Sequence, residues 1–99
     1  MKRIDVLKWG LQHIAANHSL QANTEDYLDE NQVCIWGGCN VPTLADVQML
    51  CEDLKIPKDY IYTDDFGITV ELPRRWKQDA EYKVTGWEMW KRSNVEIGS

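Results

Sequence analysis

Residues 9–54 contain no lysine or arginine, 46 positions in a row, yet they hold seven carboxylates: Glu25, Asp26, Asp29, Glu30, Asp46, Glu52 and Asp53. Acids without a neighbouring base repel one another and must face water. Within the same stretch, residues 32–41 carry no charge at all, so they are the part able to supply core. The constraint is therefore two acidic helical faces, at 25–30 and 46–53, bracketing a buried strand, with Asp59, Asp64 and Asp65 extending the negative region. Bases lie outside the gap: Lys2, Arg3 and Lys8 before it, Lys55 and Lys58 after it, and six more between positions 74 and 92.

A chain of 99 residues forms one small domain. It buries roughly 60–70% of its unfolded surface, enough for one core but with little room for a deep active-site cavity. Hydrophobic residues at 43% and charged residues at 27% exclude disorder by composition. No apolar run approaches the ~18–20 residues of a membrane span, and the charged start lacks the apolar segment of a signal peptide. Cys34, Cys39 and Cys51 are odd in number and irregular in spacing, unlike a secreted disulfide scaffold. These features place the protein in the cytoplasm, with reduced thiols and no membrane partner.

Apolar periodicity predicts a helix over 3–17, where Ile4, Leu7, Leu11 and Ile14 form one stripe interrupted in propensity by Gly10. Positions 18–23 are polar and read as a loop. Thr24 is placed to cap a short acidic helix over 25–30. Residues 32–36 read as a buried strand that contains Cys34, ends on Trp36 and leaves through Gly37-Gly38. A second helix opens at Pro42-Thr43, with Thr43 as N-cap and Asp46 three residues on. Its buried face is Leu44, Val47, Leu50, Cys51 and Leu54, and Pro57 stops it. Residues 60–63 and 68–72 flank Asp64-Asp65-Phe66-Gly67 as a hairpin that Pro73 terminates. Residues 81–85 lean towards a further strand. The chain thus reads as a single α+β domain over 1–99, with two main helices packed on a small, mostly antiparallel sheet.

Candidate chemistry is sparse. A zinc site needs four converging N or S ligands. His13 and His18 are five apart, as are Cys34 and Cys39, and residues five apart on one helix point about 140° away from each other. Cys51 falls on an apolar face, where a buried thiol is ordinary. A cysteine nucleophile requires an oriented base, and no local pattern supplies one; Cys34 in a core strand reads as inert. Asp64-Asp65-Phe66-Gly67 shares letters with a kinase metal motif, but hairpin-turn chemistry explains it. No catalytic residue, metal or cofactor is expected, and the chain reads as a non-enzyme.

Five tryptophans are many for this length. Trp36 is assigned to the core and Trp9 to its margin or the surface. The others interleave with bases in Arg74, Arg75, Trp76, Lys77, then Trp87, Trp90, Lys91 and Arg92. That mixture suits an interface hot spot or a single-strand nucleic-acid platform, or else the rings fill the core. The leading expectation is a non-catalytic protein-binding module whose acidic surface meets a partner with a basic one. Size and charge match small phage or mobile-element inhibitors that occupy a nucleic-acid site on a host machine. The alternative is a nucleic-acid-binding protein using residues 74–92. Against it stands a second helix bearing Asp46, Glu52 and Asp53, which phosphates would repel.

Overall fold

A computed structural model describes residues 2–24, 32–37 and 40–82. Helix α1 spans Arg3–Asn17 and buries Val6, Leu7, Gly10, Leu11, Ile14 and Ala15, the face predicted from the periodicity. No side chain caps its start. The exposed amides there are satisfied from far along the chain: Arg3 N–H donates to the Ala80 carbonyl and Ile4 N–H to that of Gln78, each at 2.9 Å. Lys2 and Glu81 form a bridge beside them.

Strand β1, Gln21–Asn23, follows, so the polar stretch after α1 is an edge strand and not wholly a loop. It is short and polar outward, and only Ala22 reaches the core, which is why its sequence gives no strand signal. Strand β2 is Gln32–Trp36. Helix α2 is Val41–Asp53, and a short 3₁₀ turn at Lys58–Tyr60 leads into β3, Ile61–Thr63, and β4, Gly67–Glu71. The start of α2 differs from expectation. Its N-cap is Asn40, whose Oδ1 accepts from Thr43 N–H at 2.8 Å and from the Thr43 hydroxyl at 2.6 Å. Thr43 itself is fully buried, so the bond to Asn40 keeps its hydroxyl satisfied in the core.

The sheet has the order β1-β2-β4-β3 and every pairing is antiparallel. Val33, Ile35, Ile68 and Val70 point inward and join Leu7, Leu11 and Ile14 of α1 with Val47, Leu50, Cys51 and Leu54 beside them. Among the described residues, two helices packed on an antiparallel sheet give the α+β architecture expected. Among the described residues no helix is long and apolar enough to cross a membrane. The proposed acidic helix over 25–30, with Glu25, Asp26, Asp29 and Glu30, lies outside the described residues, as do Gly38, Cys39 and everything after Tyr82.

Candidate interaction surface on the open sheet face

Because side chains alternate along a strand, the residues facing away from the helices are fixed by those facing in. On β2 they are Gln32, Cys34 and Trp36; on β4, Gly67, Thr69 and Glu71. The pairing register aligns Asn23, Cys34, Thr69 and Tyr62 in one row across the sheet, and Gln21, Trp36 and Gly67 in the next. Two sequence expectations are corrected here. Trp36 is 44% exposed rather than core, and Cys34 is half-buried on the outer face, its Sγ 3.4 Å from the Thr69 hydroxyl. Strict alternation of Gln32, Cys34 and Trp36 against Val33 and Ile35 carried that information; reading the run as uniformly buried concealed it.

Three aromatic rings stand out on this side: Trp36, Tyr62 at 49% exposed and Phe66 at 70%. Asp64 and Asp65 lie in the turn that bears Phe66 and Glu71 lies at the other end of β4, near Tyr62, while none of the four described strands carries a lysine or arginine. The Glu71 carboxylate raises the Tyr62 phenol above its ordinary value, with lesser contributions from desolvation, Tyr60 and Asp59. At the Trp36 end of the sheet the negative charge comes from Asp64 and Asp65 in the turn. Between Trp36 and Phe66 the surface dips into a pocket of about 180 Å³, lined also by Cys34, Asp64, Gly67 and Thr69.

The carboxylates expected to form a partner surface on α2 are only partly free. Asp46 is bonded to His18, Nε2 to Oδ2 at 3.0 Å, and Asp53 accepts from the Tyr82 hydroxyl. Both are half-buried on one edge of the helix. Glu52 is exposed, in line with Val41, Ala45 and Met49 on the outward face.

The basic and aromatic segment divides differently. Arg74, Arg75 and Lys77 are exposed, with Arg74 and Arg75 beside Glu71 and Tyr60 at the far end of β4 from Trp36. Trp76 between them is only 7% exposed and belongs to the core. Its Nε1–H donates to the Leu54 carbonyl at 2.7 Å, and the Arg3 guanidinium lies 4.5 Å above its ring. Trp76 thus offers no ring for stacking on a ligand. Trp87, Trp90, Lys91 and Arg92 lie outside the described residues. Trp9 packs at the margin of the core, its ring 3.8 Å from that of His13.

Among the described residues no three histidine, cysteine, aspartate or glutamate side chains converge as metal ligands. Burial pushes the Cys51 thiol up to about 12, so it is un-ionised at neutral pH and a poor nucleophile. The outer face presents rings, amides and carboxylates on a hydrogen-bonded sheet. Comparison with protein-family models, with curated proteins and with solved structures finds no match to this chain in any of the three.

Proposed function

We propose that the protein is a non-catalytic, cytoplasmic protein-binding module, and that its open sheet face receives a partner with a basic surface. The observation that carries this reading is the grouping of exposed Trp36, Tyr62 and Phe66 with Asp64 and Asp65 of the adjoining turn, on strands free of lysine and arginine. Aromatic residues are enriched where interfaces concentrate their binding energy. The Asp64 and Asp65 carboxylates beside the rings would steer and orient a basic partner. Free thiols at Cys34 and Cys51 accord with a reducing compartment.

A single-strand nucleic-acid platform also uses rings on a sheet, but it needs cations to hold the phosphates that accompany the stacked bases. Here the exposed Arg74, Arg75 and Lys77 are displaced to the far end of β4, and Trp76 is withdrawn into the core. That separation favours a protein partner. Basic surfaces of this kind line nucleic-acid sites, so the partner class proposed is a nucleic-acid-handling host machine, and the role that of an inhibitor such as phages and mobile elements carry.

The test is affinity capture from the native host with wild-type protein and with the Trp36→Ala, Phe66→Ala pair. Specific retention of a basic protein by wild type and its loss in the folded variant supports the reading. Retention unaffected by the two substitutions removes the sheet face from it. Sub-micromolar, salt-sensitive binding of single-stranded DNA or RNA by the purified protein would replace it with the nucleic-acid alternative.

A further inference from the structure

The pocket between Trp36 and Phe66 is more specific than the surface around it. Gly67 sits directly across from Trp36 in the register, so the ring faces a position with no side chain. Its φ of +152° and a built Cβ only 1.8 Å from the Ile35 carbonyl oxygen show that only glycine fits. The turn beside it is firmly held. Asp64 Oδ1 accepts from Phe66 N–H at 2.7 Å and from Gly67 N–H at 3.0 Å. Asp64 N–H donates to the Gly67 carbonyl at 3.0 Å, and Gly37 N–H to that of Phe66 at 3.1 Å. These bonds tie the segment after Trp36 to the loop that bears Phe66, so the backbone carrying both rings and the Asp64 carboxylate is held before any ligand arrives. Oδ2 of Asp64 accepts no hydrogen bond from the described residues.

We infer that this pocket, formed by Trp36, Phe66 and Asp64, receives the guanidinium of an arginine side chain from the partner. The inference rests on the protein-binding reading and names the chemistry of its contact. At about 180 Å³ the pocket holds a head group of a few heavy atoms, well short of the ~300–1,000 Å³ of a site for a drug-sized ligand. Ring faces attract cations through their quadrupole, and a carboxylate at the same site adds a charge-assisted hydrogen bond. A planar guanidinium satisfies both at once, stacking on a ring while its edge N–H groups reach the carboxylate; a compact, strongly hydrated ammonium does so less well. An anion is disfavoured because, among the described residues, the lining offers a carboxylate and no base. A metal ion is disfavoured because Asp64 is the sole carboxylate in the lining among the described residues.

The experiment is a titration of the ¹⁵N-labelled full chain with N-acetyl-arginine N-methylamide, with the lysine and citrulline analogues as controls. The Trp36 indole resonance is assigned by its loss in Trp36→Phe. Saturable shifts of that indole and of the Phe66 and Gly67 amides are expected with arginine, with affinity roughly threefold or more above lysine and none for uncharged citrulline. Asp64→Asn, which keeps the Oδ1 turn acceptor, is expected to weaken the arginine response at least severalfold with the remaining spectrum unchanged. Equal responses to arginine and citrulline, no response to arginine by the folded protein, or an undiminished response in Asp64→Asn would overturn the inference. Should the arginine probe fail while capture of a basic protein still depends on Trp36, the broader reading stands and only the pocket assignment falls. Arginine binding without any captured partner has the reverse meaning.

Discussion

Trp76 and Leu54 are joined by a buried hydrogen bond, indole Nε1–H to backbone carbonyl, at 2.7 Å. The carbonyl belongs to the residue that ends α2, so the bond closes the last turn of that helix with a side chain from beyond β4. Arg3 donates to the same oxygen and stacks on the same indole, which brings the start of α1 into the knot. Burial holds the Arg3 guanidinium below its ordinary value. Three distant segments are thereby pinned at one point, and the ring sits where a binding role had been expected.

Trp76 substitutions should accordingly affect stability and leave binding alone. Trp76→Phe keeps most of the ring but loses the hydrogen bond, leaving Leu54 with Arg3 alone; the expected loss is about 1–2 kcal/mol. Trp76→Ala removes the ring from the core and should cost about 3–5 kcal/mol. Urea unfolding measures both. Partner capture by Trp76→Phe at wild-type level, after correction for folded fraction, is the expected companion result.

The contrast between Trp36 and Trp76 shows what was legible in the sequence. Helix α1, strand β2 and the 61–71 hairpin followed from periodicity and turn residues because each buries a face within its own few residues. The environment of a tryptophan does not follow that way. Trp76, set among Arg74, Arg75 and Lys77, could be read as an interface ring or as core, and its burial depends on the end of α2 and on Arg3, 22 and 73 positions away in the chain. Trp36, set beside Ile35, looked like core, and alternation alone turns it outward. Asn40 took the capping role from Thr43 for a similar reason: local letters suited either residue, and packing drew Thr43 inside. The candidate site was missed as a site because it is assembled across β2, β4 and their turns, and only pairing register brings Trp36 beside Gly67.

Gly10 had seemed a flaw in α1, and the helix contact explains it. A Cβ built there lies 2.6 Å from Leu50 Cδ2, at the close approach of α1 to α2. Leu50 is fully buried, so its side chain can give way only by displacing packed neighbours. Gly10→Ala gains about 0.8–1.0 kcal/mol of helix propensity but overpacks the core by about 1–3 kcal/mol. A net loss of about 1 kcal/mol is expected in urea unfolding. Combining it with Leu50→Ala should be less damaging than the two single changes summed, because the smaller side chain removes the clash.

His18 and Asp46 fasten the end of α1 to the middle of α2, with side chains 23% and 26% exposed. This partly screened pair should contribute about 0.5–1.5 kcal/mol. A double-mutant cycle with His18→Ala and Asp46→Ala, read by unfolding, measures the coupling. A coupling near zero would return Asp46 to the pool of carboxylates available to a partner. A positive coupling confirms its structural use and leaves Glu52 as the exposed acid of α2.

Alkaline pH should lower the stability of the fold. Burial raises the Cys51 thiol from 9.0 to about 12, and the Tyr82 phenol is raised by desolvation and by its bond to Asp53. Both groups are neutral in the folded state at neutral pH. As pH climbs past the unfolded value of the thiol, the unfolded chain releases its proton while the native chain retains it, so stability falls with rising pH. The contribution is complete below about pH 9 and declines towards about pH 12. Urea midpoints followed through this window should drop steadily in wild type. Cys51→Ala should start from a lower midpoint, because a buried sulfur is lost, yet decline less steeply; a parallel slope would mean that Cys51 does not govern the transition. Tyr82→Phe distinguishes the second group, since it removes the phenol proton and the bond to Asp53 while leaving the Cys51 contribution in place.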